Sequence, residues 1–161
     1  MSSQVLTKQL SSTSLDAWIC LLRGHAAATR TLSAELVSDH GLTINDYEAL
    51  LRLSRAENSS LKRVEIAESL LLTPSGVTRM LDGLERVGYV EKGSCPTDAR
   101  VTYAVLTDAG RRKLEEASES HIVAVRALFD ERFDPDELAT LAELLGRLPD
   151  TPGADGVDCA A

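Results

Sequence analysis

The chain is poor in the residues on which several classes of protein depend. Only 4% of its 161 residues are aromatic, and its three cysteines form no CxxC pair. Its three histidines are scattered, without the close spacing that a zinc site requires. The composition therefore argues against a disulfide framework and against a dedicated metal site.

Catalytic and membrane motifs are also missing. We find no Ser–His–Asp order, no glycine-rich phosphate loop and no paired-carboxylate site with supporting context. No apolar run approaches the length that spans a bilayer, and Met1–Ser14 lacks the apolar stretch of a secretory signal. We therefore expect a cytoplasmic protein that is not an enzyme, has no cofactor and does not bind membranes.

The length and the remaining composition indicate one mainly α-helical domain. The chain is long enough for one real core, is rich in Leu and Ala, and has few strand-like runs. Gly41 is placed to end a first helix in a left-handed cap, and Thr43 to begin a second with Asp46 at its third position. Thr107 is expected to begin a long helix to about Phe129, and Asp134 a last one.

The segment from Thr73 to Gly110 carries the strongest functional signal. Thr73 is a good N-cap and Pro74 suits the first position of a helix. The apolar positions of this helix recur at helical spacing and predict a buried stripe of Val77, Met80/Leu81, Leu84 and Val87. The opposite side carries small or polar residues, which allow close approach to a DNA groove, and one arginine suited to guanine: Ser75, Gly76, Thr78, Arg79 and Asp82.

Short amphipathic and β-prone segments flank this helix. Upstream, residues 62–70 predict a short helix with Val64, Ala67 and Leu70/Leu71 facing inward. Downstream, residues 89–92 and 101–106 predict a β-hairpin around a polar loop. The two helices and the hairpin together are typical of a winged helix-turn-helix, which binds DNA. An ordinary helix pair followed by a structural hairpin remains the alternative.

The net charge of −8 is unusual for a DNA-binding protein, but the charge is unevenly distributed. The segment from Lys113 onward holds twelve acidic and four basic residues, so the acidity lies away from the predicted DNA-binding segment. Binding is expected to depend on local cations and to be salt-sensitive. The set is Lys62, Arg63, Arg79, Arg86, Lys92 and Arg100.

The spacing of several motifs resembles the MarR family of transcriptional regulators from about Leu15 to Leu148. The similar motifs are Ala67-x-x-Leu70, Ser75–Arg79, Leu84-Glu85-Arg86-x-Gly88-Tyr89-Val90, Asp98-x-Arg100 and Leu106-Thr107-x-x-Gly110. The resemblance implies that Asp98 orients Arg100 and that Arg100 enters the minor groove. A simple hairpin salt bridge is the alternative role for this pair.

The resemblance and the residues together predict the domain organisation. We expect a flexible N-terminus at 1–14, a winged-helix domain at 15–148 and a disordered tail at 149–161. Within the domain, residues 43–106 form the DNA-binding lobe, and helices at 15–40 and 107–148 form a homodimer. The dimer would bind a palindromic double-stranded operator, with half-sites about one DNA turn apart. A monomeric bundle that buries the same apolar residues is the alternative.

The expected input is a small aromatic anion that releases a repressor from DNA. The resemblance implies a site where the first, second and fifth helices meet the DNA-binding lobe, and candidate lining residues there are Trp18, Arg23, His25, Arg30 and Tyr47. The alternative input is a thiol switch at Cys95, whose neighbours Lys92 and Arg100 favour a thiolate. Cys20 is interpreted as a helix-packing residue. From another class, a helical interaction module without DNA binding is the remaining alternative.

Overall fold

A computed structural model of the chain describes residues 13–94 and 102–148. The chain divides into two compact units, residues 1–121 and 122–161. The first helix begins at Thr13, two residues before the predicted start. The other residues predicted as flexible or disordered at the two ends lie outside the described residues.

The first unit begins with two helices, α1 (Thr13–His40) and α2 (Ile44–Arg55). Gly41 separates them with a φ of +68°, the left-handed conformation that glycine adopts without a Cβ penalty. The Thr43 side chain accepts a hydrogen bond from the Asp46 amide, and the Asp46 carboxylate accepts one from the Thr43 amide at 2.8 Å. This reciprocal cap confirms the predicted start of α2.

A short 3-10 turn (Glu57–Ser59) leads to strand β1 (Ser60–Lys62), and two helices follow, α3 (Arg63–Ser69) and α4 (Pro74–Arg86). The predicted helix pair is therefore confirmed. Strand β1 was not predicted. Its three residues are too short for a periodic pattern, and they become a strand by pairing with a segment far along the chain.

The wing consists of β2 (Val90–Ser94) and β3 (Thr102–Leu106), which pair antiparallel with Val90 opposite Leu106. Strand β1 pairs with the other edge of β3, with Ser60 opposite Val105. The predicted hairpin is thus part of a three-stranded sheet of order β1-β3-β2. Because β1 runs directly into α3, the sheet connects the wing to the helix-turn-helix.

The core of the first unit joins all of these elements. Its larger buried side chains are Leu36, Leu42, Tyr47, Leu50, Leu53, Ile66, Val77, Leu81, Leu84, Val90, Leu106 and Leu114. Three predicted inward positions were wrong, since Val64 is 57% exposed, Val87 is half-exposed and Leu71 is 93% exposed. In α3 the buried residue is Ile66 beside Ala67, because the packing of α3 against α4 and the sheet selects that face.

Helix α5 (Asp108–Asp130) begins in the first unit and continues into the second. The Thr107 hydroxyl accepts a hydrogen bond from the Gly110 amide at 3.0 Å, as the predicted cap requires. The second unit contains the end of α5 and helix α6 (Pro135–Gly146), which Asp134 and Glu137 begin with a capping box. The mainly α-helical fold with a β wing is confirmed.

Candidate nucleic-acid interface

The N-terminal end of α4 presents a small polar surface. The Gly76 amide donates to the Thr73 hydroxyl at 3.1 Å, which fixes the first turn of the helix. Ser75 and Thr78 are exposed, and the Thr78 hydroxyl donates to the Pro74 carbonyl at 2.9 Å. The lone pairs of these hydroxyl oxygens remain available for phosphates or base edges.

Arg79 extends from the same exposed face. Val77, Leu81 and Leu84 are buried on the opposite side of α4 and hold the helix against the core. Within the described part of the chain, no carboxylate forms an ion pair with Arg79, whose side chain is exposed. The guanidinium is therefore free to make a bidentate contact with guanine.

Three other predicted cations are paired within the protein. Arg63 donates to the Glu85 carboxylate at 2.6 Å, and its side chain is only 19% exposed. The Lys92 ammonium lies 3.1 Å from the other oxygen of Glu85, and Lys62 lies 3.6 Å from Glu65. The guanidinium of Arg63 thus binds α4 instead of extending outward, a position that sequence periodicity did not indicate. Arg86, at the end of α4, is exposed.

The tip of the wing lies outside the described residues. Residues 95–101 include Cys95, Asp98 and Arg100, so their predicted roles in DNA contact and redox sensing stay predictions. The structure describes the strands that lead to this tip, with Lys92 of β2 opposite Ala104 of β3.

Two of the five predicted effector residues lie together along one groove. His25 and Arg30 line an open groove on the surface of α1, together with Thr29, Ser33, Val37 and other α1 residues. Trp18 and Arg23 are exposed on α1 but do not line this groove. Tyr47 is buried, and its hydroxyl lies 3.2 Å from that of Ser118. Cys20, interpreted as a packing residue, is exposed.

His121 occupies a junction between α2 and α5. Its ring centroid lies 4.6 Å from that of Tyr47, and its Nδ1 atom is buried without a partner among the described residues. Burial lowers the pKa of His121 below its usual value, and the negative charges of Glu48 and Glu35 oppose this shift more weakly. The helical spacing of α5 placed His121 on the inward stripe, but it did not indicate the tyrosine contact.

In residues 13–94 and 102–148, no three His, Cys, Asp or Glu side chains lie close enough to hold a metal ion. No helix in the same ranges has both the length and the apolar character that crossing a bilayer requires.

Comparison with known proteins supports the interpretation of this surface. Residues 42–102 match the family model described as the MarR family. The chain is 31% identical over 128 residues to the HTH-type transcriptional regulator YkoM of Bacillus subtilis, covering 78% of this chain and 81% of YkoM. It is 29% identical over 108 residues to the HTH-type transcriptional repressor YetL of the same organism, covering 67% of this chain and 64% of YetL.

A solved structure extends the similarity to the fold. Sco3205, a MarR family transcriptional regulator from Streptomyces coelicolor, has been solved in complex with DNA. It superposes with a TM-score of 0.74 at 27% identity, covering 80% of this chain and 81% of Sco3205.

Proposed function

The chain belongs to the MarR family of winged helix-turn-helix transcriptional regulators, and from this premise we propose that it is a repressor that binds a palindromic operator as a homodimer. The single observation that carries the proposal is the exposed end of α4, where Ser75, Gly76, Thr78 and Arg79 lie opposite a buried apolar face. The complex of Sco3205 with DNA supports DNA as the partner, and the similarity to the repressor YetL supports repression.

We propose that α4 enters the major groove and that the wing follows the adjacent minor groove. Arg79 supplies the base contact, and Arg100, oriented by Asp98, enters the minor groove. Lys62 binds a phosphate, because its 3.6 Å contact with Glu65 is exposed to solvent and therefore weak. Arg63 and Lys92 are not DNA contacts in this proposal, because Glu85 already pairs with both. The chain acts in the cytoplasm as a DNA-binding protein and not as an enzyme.

A second copy of the chain is the proposed occupant of the apolar side chains that each unit leaves exposed. In the first unit, Trp18, Leu22 and Val37 of α1 are exposed. In the second unit, apolar side chains are exposed as well: Ile122, Val123, Phe133, Leu144 and Leu148. Exposed apolar side chains in this number are typical of association. In a two-fold dimer the same surfaces meet in both copies and two α4 helices face successive turns of DNA.

The proposed effector is a small aromatic acid or phenol. His25 and Arg30 supply cationic or hydrogen-bonding groups along the open α1 groove, and Trp18 and Arg23 lie exposed on the same helix. These groups suit a carboxylate or phenolate attached to an aromatic ring. Release of DNA requires the ligand to bind the DNA-incompetent arrangement of the lobes better than the competent one.

The test is selection of DNA by the purified full-length chain from fragmented genomic DNA, followed by mobility-shift titrations at several salt concentrations. We expect a palindromic sequence, one dimer per site, and affinity that falls steeply as salt rises. A scrambled site of the same length is the control for specificity. Equal binding to the selected and scrambled sites at every salt concentration would contradict the proposal.

A further inference from the structure

Glu85 lies where three elements of the DNA-binding lobe meet. It belongs to the last turn of α4, and its two carboxylate oxygens bind different cations. One oxygen accepts from Arg63 of α3 at 2.6 Å, and the other lies 3.1 Å from the Lys92 ammonium on β2. Glu85 is thus the shared anion between both helices of the helix-turn-helix and the wing.

The surroundings of this cluster strengthen the Glu85–Arg63 contact more than the Glu85–Lys92 contact, because the Lys92 side chain is 59% exposed. The side chains of Glu85 and Arg63 are 18% and 19% exposed, so solvent screens their interaction less than it screens a surface pair. Asp82, the nearest additional carboxylate in the described chain, lies 3.9 Å from the same Arg63 nitrogen. The Arg63 Nε atom is buried without a partner among the described residues. Arg63 therefore depends on Glu85 for its main compensation.

We infer that Glu85 is a positioning residue that sets the wing against the recognition helix α4 and withholds the charge of Lys92 from DNA. The inference rests on the proposed DNA-binding function. If the angle between α4 and β2 is fixed, the helix and the wing can enter neighbouring grooves only on DNA of a matching shape. This favours the operator over other sequences. Neutralising Lys92 lowers the sequence-independent attraction to phosphates at the same time. Both effects raise the ratio of specific to non-specific affinity.

The discriminating variant is Glu85→Gln, with Glu91→Gln as its matched control. Both substitutions remove one negative charge, but Glu91 is exposed on β2 and forms no ion pair within the described part of the chain. Affinities of both full-length variants for the operator and for a scrambled duplex are measured against salt. In Glu85→Gln the freed Lys92 steepens the salt slope on scrambled DNA by about 0.9, which corresponds to about fivefold tighter binding near physiological salt.

Operator affinity gains less than scrambled-site affinity in Glu85→Gln, so the specificity ratio falls by up to about fivefold relative to Glu91→Gln. A purely structural role of Glu85 lowers the melting temperature but does not tighten non-specific binding. Equal specificity ratios and salt slopes in the two variants overturn the inference, while operator binding by the wild type leaves the proposed function intact. A wild type without sequence preference overturns both.

Lys92→Gln in both backgrounds provides a second measurement that does not require Glu85→Gln to be fully stable. Because Glu85 holds Lys92, the substitution changes the salt slope on scrambled DNA little in the wild-type background. In the Glu85→Gln background, Lys92→Gln returns the salt slope on scrambled DNA to its wild-type value. An equal decrease of the slope in both backgrounds shows that Lys92 already contacts phosphate, and overturns the inference.

Discussion

Replacement of Gly110 by alanine is expected to destabilise the protein strongly. A Cβ atom at this position would lie 2.1 Å from the Tyr89 carbonyl oxygen, 2.9 Å from the Tyr89 carbonyl carbon and 2.8 Å from a methyl of Leu106. Ordinary contact begins near 3.4 Å, so α5 and the base of the wing would have to separate by about 1.3 Å. The same carbonyl accepts a hydrogen bond from the Thr107 amide at 3.1 Å, which resists that separation.

The magnitude follows from two opposing effects. Overpacking against side chains that can move costs about 1–3 kcal/mol, and a backbone carbonyl yields less readily than a side chain. Because helices favour alanine over glycine, the substitution also stabilises the folded state by at most about 1 kcal/mol, and by less in the first turn of a helix. We therefore expect a net loss of at least about 2 kcal/mol in the free energy of unfolding.

The control is Gly83→Ala, the same substitution within α4. A Cβ there would meet only the flexible end of the Arg86 side chain, at 3.9 Å. Helix propensity then acts alone, and we expect a gain of about 0.5–1 kcal/mol. Urea unfolding followed by circular dichroism measures both variants. A Gly110→Ala protein as stable as the wild type, or a shift of both variants in the same direction, would refute the reasoning.

Four further outcomes are expected. Arg79→Ala weakens operator binding by about 1–3 kcal/mol and relaxes preference at one base pair per half-site, as binding to a library of single-base operator variants would show; a uniform loss on all sequences indicates a phosphate contact instead. Arg100→Ala abolishes tight binding in shift assays while the free energy of unfolding changes by no more than about 0.5 kcal/mol, and unchanged affinity of the folded variant contradicts the assignment of the wing. Salicylate-like acids at millimolar concentration release DNA, and His25→Ala, in the α1 groove, weakens this response without weakening operator binding; acids that leave operator binding unchanged contradict the proposed effector. Burial lowers the pKa of His121, so the unfolded chain binds the proton first as pH falls below about 6.5. The free energy of unfolding therefore decreases from neutral toward acidic pH, and His121→Gln removes the part of this decrease that His121 causes. Identical pH profiles of unfolding for His121→Gln and the wild type contradict this prediction.

Local chemistry determined where the helices of this protein begin. Four capping residues each accept hydrogen bonds from backbone amides within three residues of themselves, and neighbouring sequence was therefore enough to predict them. They are Thr43, Thr73, Thr107 and Asp134. Helical spacing likewise identified Val77, Leu81 and Leu84 as buried, together with the exposed polar face of α4. The order of the elements predicted the winged-helix fold, and the resemblance of the motifs to those of the MarR family predicted the family.

Tertiary contacts decided what lies beyond that local range. Strand β1 forms because Ser60 meets Val105, and the buried face of α3 contains Ile66 instead of Val64 because the neighbouring elements select that face. Arg63 and Lys92 look like free cations in the sequence, but a carboxylate 22 residues after Arg63 pairs with both of them. Periodicity reports which side of an element is apolar. It carries no information on which distant charge that element meets, because that distance is set only when the helices and the sheet pack together.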